Sequence, residues 1–244
     1  MKLIQLEKPI FLIFIVIIFF SCKESEQKPG ICLSFDDNYL EQWVGILPLL
    51  DKYDAKATFF LTGVGKLSEQ EKAWLKEIQE AGHEIGAHGE LHVPANSYIQ
   101  SNGYRSYWQE EIQANVDALR AIDIRPKVFA YPYGEKNRIM DIALRITFQV
   151  SRSVVPLGEG YEEKALKKRP GFHYYSISID ESELPQVEKL KPLMERAKAE
   201  KKVLFIHAHT IGEQGAYTLS AQRLETVLAM GKDMGLDFRS IQNL

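Results

Sequence analysis

The sequence is poor in cysteine. Cys22 and Cys32 are the whole complement, so no disulfide framework holds this chain together, whatever compartment it occupies. Charge of one sign is also missing. Thirty Lys and Arg stand against 33 Asp and Glu, for a formal net charge of -3. No long basic stretch interleaves with aromatics, which excludes a nucleic-acid surface, and the near balance gives no long-range steering of strongly charged substrates. No apolar run reaches the roughly 20 residues that a spanning helix needs. There is no G-x-S-x-G elbow for a serine nucleophile. No H-E-x-x-H zincin pattern occurs either, because Gly89 follows His88 where that pattern needs Glu. Low-complexity tracts and internal repeats are absent.

What is present begins with a leader. Lys2 and Lys8 precede an unbroken apolar run, PIFLIFIVIIFF, from Pro9 to Phe20. Its length falls in the range of about 10–14 residues that suits a signal-peptide core. Ser21-Cys22 follows at once. A small residue before cysteine at the end of such a core resembles the lipobox of bacterial lipoproteins, with Phe19 where Leu is usual. The expectation is a signal peptide over 1–21, lipid on Cys22 as the mature N-terminus, and a chain exported to the bacterial cell envelope. An uncleaved N-terminal anchor is the alternative. The polar stretch KESEQKPG, residues 23–30, reads as a tether. Cys32 lies in the apolar run ICLSF and reads as a small buried hydrophobe.

From residue 31 to 244 no second linker appears, so the division is a single domain. Strand-like runs alternate with amphipathic stretches: ICLSF (31–35), ATFFLTG (57–63), HEIGA (83–87), KVFAY (127–131), FQVSRSV (148–154), YYSISI (174–179) and VLFIH (203–207). Most lack strict polar alternation, as strands buried on both faces of a parallel sheet do. Helical patterns lie between them, over 39–50, 104–122, 184–198 and 219–234. Trp108, Ile112, Val116 and Leu119 share one stripe of the second, which reads as core packing. The class is α/β, and the number of strand–helix units suits a barrel better than a small open sheet.

In such a fold, functional groups gather at the C-terminal ends of the strands. ICLSF ends in Asp36-Asp37. HEIGA ends in His88, with His92 four residues on. KVFAY runs into Pro132-Tyr133-Gly134, and VLFIH ends in His207, with His209 beyond. Neighbours on a strand point to opposite faces, so Asp36 and Asp37 can do different jobs; a turn or a helix cap is the plainer use of such a pair. Two His four apart can share one metal. With Asp37 added, the set suits a catalytic divalent ion with open positions.

Taken in order, LSFDD, KATFFLTG, EIGAHGELH, FAYPYG and VLFIHAH resemble the NodB-homology polysaccharide deacetylases, carbohydrate esterase family 4, over essentially the whole chain after the tether. The resemblance implies a distorted (β/α) barrel with fewer than eight regular strands. It implies Asp36 as general base, Asp37, His88 and His92 as metal ligands, the Tyr133 backbone N–H as an oxyanion donor, and His207 as general acid. The substrate class it implies is an N- or O-acetylated glycan. The cofactor is one divalent ion, zinc first, with cobalt, nickel or manganese also suited to an N/O site.

Three positions depart from the family pattern. Gly89 replaces the Ser or Thr usual after the first metal histidine and so removes a hydroxyl that could fix the loop. Phe129 stands where many members have an Arg that pairs with the catalytic Asp. The D-x-x-D-W motif is missing; Lys167-Lys168-Arg169-Pro170-Gly171 falls in its place, and Arg169 is the candidate for the missing cation beside Asp36. These departures keep open a weakly catalytic, glycan-binding lipoprotein on the same fold, and a hydrolase of non-sugar amides. Tyr131, Tyr133 and Tyr217 could stack on sugar rings or pack internally.

Overall fold

A computed structural model describes residues 28–155, 160–168 and 171–244. Seven parallel strands form a closed ring: β1 (Gly30–Asp37), β2 (Thr58–Leu61), β3 (Glu84–Ala87), β4 (Val128–Ala130), β5 (Val150–Val154), β6 (His173–Ser178) and β7 (Val203–Ala208). Each pairs with the next, and β7 returns to β1, with Ser34 opposite His207. The short strand Asp237–Arg239 pairs with the start of β1, and Leu166–Lys167 lies antiparallel on β7. The barrel expected from the sequence, with fewer than eight regular strands, is the fold observed.

Side-chain alternation sorts the strands into two environments. Ile31, Leu33 and Phe35 of β1 face outward into the large apolar layer shared with the helices. Cys32 faces inward, where Phe60, Val128, Tyr174 and Phe205 meet it to plug the lower barrel. Gly86 makes this plug possible. A Cβ there would lie 2.5 Å from the Phe60 ring and 2.8 Å from Val128. Above the plug the interior turns polar: Asp36, Arg152, Ser176 and His207 are all buried.

The helices follow local rules. Ser68 and Glu71 form a capping box at the start of Glu69–Glu80, which buries Leu75 and Ile78. The helix expected over 39–50 is two, Leu40–Gly45 and Leu47–Lys52, because Pro48 can only open a helix. The stretch 104–122 is also not uniform. Ala95–Ser106 runs into a π-helical segment, Tyr107–Gln113, and then Ala114–Ala121. These helices belong to the connection between β3 and β4, which carries the His88–His92 loop. The expected stripe holds, with Ile112, Val116 and Leu119 in the core and Trp108 packed at its edge.

Candidate active site

Asp36 and Asp37 end β1, and alternation alone would send them to opposite faces. Asp37 instead has φ 86. That left-handed backbone, which Asp tolerates better than most residues, breaks the alternation, and both carboxylates line one cavity of about 380 Å³ at the C-terminal end of the barrel. Asp36 points inward and meets Arg152 of β5, whose Nη2 lies 2.6 and 2.5 Å from its two oxygens. Both side chains are buried. Burial alone would raise the Asp36 pKa; Arg152 and the facing His88, His207 and His209 outweigh it and hold the carboxyl at about 2.

His88 follows β3 directly. Its Nδ1 donates to Ala130 O at 2.9 Å, which leaves the Nε2 lone pair free. His92 reaches the same point from a left-handed backbone, φ 55. Their Nε2 atoms lie 3.5 and 3.1 Å from Asp37 Oδ1. That oxygen is buried, yet it makes no hydrogen bond of acceptable geometry. Burial raises the Asp37 pKa, but the two histidines prevail and hold it well below the usual carboxylate range. Two imidazole nitrogens and one carboxylate oxygen around one point, with the oxygen otherwise orphaned, fit a divalent ion. Asp36, His207 and His209 are also close enough to share an ion. Arg152 opposes that use, since it already occupies both Asp36 oxygens with a positive charge.

The two remaining histidines differ in their partners. His207 Nδ1 lies 2.9 Å from Ser176 Oγ. Burial and the nearby Arg152 push its pKa well below the ordinary imidazole value. His209 Nδ1 lies 2.6 Å from Asp180 Oδ2. Asp180 is fully buried and also accepts from the His209 N–H and from Ser178 Oγ. Burial lowers the His209 pKa, but the Asp180 bond and the Asp36 charge outweigh it and raise the group above its usual value. The register places Ser34 opposite His207, so Asp36 and His209 occupy the next layer up.

Tyr133, the expected oxyanion donor, follows β4 with φ 56. Its ring is 65% exposed and packs on His92 at 4.7 Å. Tyr217 packs on His209 at 5.2 Å across the same cavity. Tyr131, in contrast, is internal, with its hydroxyl donating to Asp141.

The structure thus brings Asp36, Asp37, His88, His92, Tyr133 and His207 together. Arg169 and Cys22 lie outside the described residues. Arg152 was missed from the sequence, although it was in view: a cation inside FQVSRSV, a strand otherwise read as buried, needs a buried partner. Asp180 and Ser176 were missed too, the first concealed because it ends YYSISI without the Trp of the expected motif.

The chain is thus a closed parallel barrel with a carboxylate–arginine pair beside a two-histidine, one-aspartate set. The polysaccharide deacetylase family profile matches residues 23–150, just over half of the chain, and the chain belongs to that family. Over 126 residues it is 34% identical to YlxY, an uncharacterized protein of Bacillus subtilis (strain 168). The match covers 50% of this chain and 37% of that curated relative, so the chain spans well under two thirds of its length. Among solved structures, wild-type BA3943 of Bacillus anthracis, a family 4 pseudoenzyme, superposes with TM-score 0.60 at 18% identity, covering 90% of this chain and 66% of that one. A mutant of BA3943 is described as having restored enzymatic activity. The peptidoglycan deacetylase PdaC of Bacillus subtilis gives 0.56 at 17% identity, covering 89% and 90%. At these identities the likeness is one of fold.

Proposed function

We propose that this chain hydrolyses acetyl groups from N-acetylated or O-acetylated polysaccharide, using one divalent ion, zinc first, held by Asp37, His88 and His92. The observation that carries the reading is the buried, unbonded Asp37 Oδ1 facing two imidazole nitrogens, one residue from the Asp36–Arg152 pair. A bound divalent ion supplies Lewis acidity, which polarises a carbonyl and lowers the pKa of water toward about 7. Asp36 is the general base. Arg152 keeps it ionised and orients it toward the attacking water. The Tyr133 N–H serves the developing oxyanion, and the exposed Tyr133 and Tyr217 rings offer faces for sugar at the mouth of the cavity.

The family resemblance assigns the leaving-group proton to His207. A second reading, His209, is favoured by the Asp180 bond and by its place in the Asp36 layer. A His paired with a buried carboxylate is biased toward its protonated form, the form an acid needs before it acts. His207 sits one layer deeper, against a hydroxyl and near a cation.

The same proposal places the chain in the cell envelope, anchored by lipid on Cys22. Its support is the apolar run ending in Ser21-Cys22. Exchanging Cys22 for Ser should move the protein out of the membrane fraction; unchanged partitioning counts against the anchor. The activity is tested by acetate release from a panel of acetylated glycans, with and without chelator. Chelator-sensitive release that Asp36→Asn abolishes is the expected result. No release from any glycan by metal-loaded wild type favours the glycan-binding alternative.

A further inference from the structure

The loop that carries His88 and His92 has few internal supports. Gly89 has φ +77, His92 has φ 55, and the family's usual hydroxyl at position 89 is absent. Besides the bonds of His88 to Leu61 O and Ala130 O and of the Gly65 N–H to Glu90 Oε1, what holds the loop comes from the π-helical stretch and the helix after it. Glu111, in the π-helical stretch Tyr107–Gln113, is fully buried. Its Oε2 accepts from the Leu91 N–H at 2.6 Å and its Oε1 from the Val93 N–H at 3.0 Å, one on each side of His92. Its backbone carbonyl accepts from the Glu90 N–H at 2.9 Å. One residue therefore binds positions 90, 91 and 93. Four residues on, the buried Asn115 donates to Glu90 Oε2 and to Leu61 O at the end of β2, both at 3.2 Å.

Gly89 is fitted to this carboxylate. A Cβ at position 89 would lie 2.1 Å from Glu111 Oε1 and 2.5 Å from its Cδ. A side chain at 89 and a carboxylate at 111 cannot share this space, so the absence of Ser or Thr and the presence of Glu111 are one arrangement. The π turn contributes as well. Glu111 and Ile112 are consecutive yet both buried, one against the loop and the other in the core. A widened turn of this kind often marks a functional segment.

We infer that Glu111 is a positioning residue for the metal-ligand loop: its carboxylate fixes the backbone on both sides of His92 and so aims His92 at Asp37, in place of the missing hydroxyl. This rests on the metal reading above. Residues that orient ligands from behind cost roughly 10–100-fold in metal affinity when altered. Glu111→Gln keeps the size of the side chain but sets an amide NH2 against one of two backbone donors.

The test uses the full chain and zinc, with affinity read by competition against a chromophoric chelator. Wild type, Glu111→Gln, Glu111→Ala and His92→Ala are compared, each checked for the wild-type circular dichroism spectrum. The expected result is tight binding by wild type, loss by His92→Ala, and a weakening of about 10–100-fold by Glu111→Gln. Saturating zinc should return Glu111→Gln to near-wild-type kcat, because its ligands are intact, and should not rescue His92→Ala. If Glu111→Ala does not fold, Glu111→Gln alone decides. Zinc affinity of a folded Glu111→Gln within twofold of wild type, with His92→Ala still deficient, overturns the inference and leaves the metal reading standing. A wild-type chain that binds no zinc overturns both.

Discussion

Arg152 shows how much depends on single side chains here. It and Asp36 are both buried, and neither has water to fall back on. Removing one partner of such a pair typically costs 3–5 kcal/mol, because the other charge is left stranded. Arg152→Met should therefore destabilise the fold by about that amount in urea unfolding, and Asp36→Asn added to it should recover much of the loss. The pH dependence has a definite sign. The Asp36 pKa in the fold, about 2, lies below the ordinary 3.8, so the pair contributes fully above about pH 4 and fades as pH falls toward 2. The gap between wild type and Arg152→Met should shrink over that window; a gap constant from pH 6 to pH 2 would show that the pair is not its source. The histidines separate by chemistry. His209→Ala and Asp180→Asn should both depress amide cleavage and spare an activated acetyl ester, whose leaving group needs little protonation. A His207→Ala variant dead on amide beside an active His209→Ala would return the acid role to His207.

Among the elements, the interior of the barrel is the least forgiving. Gly86→Ala puts a methyl group against Phe60 and Val128 at 2.5 and 2.8 Å. Overpacking of this kind costs about 1–3 kcal/mol, so a thermal melt should show a clear drop without loss of secondary structure; an unchanged melting temperature would mean that the plug has room. The strands were largely legible from the sequence because each is a short apolar run with a polar terminus, and their ends differ from expectation by two residues at most. The helices were less so. Pro48 splits one, and the π turn at Tyr107–Gln113 has no signature in hydrophobic spacing, which tolerates one extra residue between Trp108 and Val116. Of the site, the residues that end strands could be read directly. Arg152 and Asp180 could not be placed, because only barrel closure brings Arg152 of β5 across to Asp36 and Asp180, beyond β6, to His209. In the structure β7 runs to Ala208, and His209 is held by Asp180 rather than drifting outward.

At the scale of the whole molecule, the three proposed ligands come from two strand ends and one loop, so a bound ion would tie β1 to the β3–β4 connection. Anything that binds only the folded form stabilises it, by about 2.7 kcal/mol at 100 times its Kd. Zinc should raise the melting temperature of the wild-type chain, chelator should lower it again, and His88→Ala should abolish the difference. A zinc-induced shift that survives in His88→Ala would remove His88 from the ligand set. The link matters at this point in the ring, because β3 meets β4 through a single register pair, Ala87 with Phe129.

The left-handed residues at the rim carry a further consequence, which concerns selection. Asp37, His92, Tyr133 and Tyr217 all hold backbone conformations that L-residues avoid, each at a cost of about 1–3 kcal/mol. A screen for thermal tolerance would therefore favour Gly or Asn at the very positions that surround the cavity. Tyr133 is the clearest case, since its ring is mostly exposed and little packing is lost with it. Tyr133→Asn should melt higher than wild type while releasing acetate more slowly; a variant that gained on both counts would show that the strain has no use. Lineages relieved of the need for turnover would drift toward such residues first. In relatives of this chain, asparagine or glycine at these rim positions would then be an early mark of a fold that has outlived its chemistry.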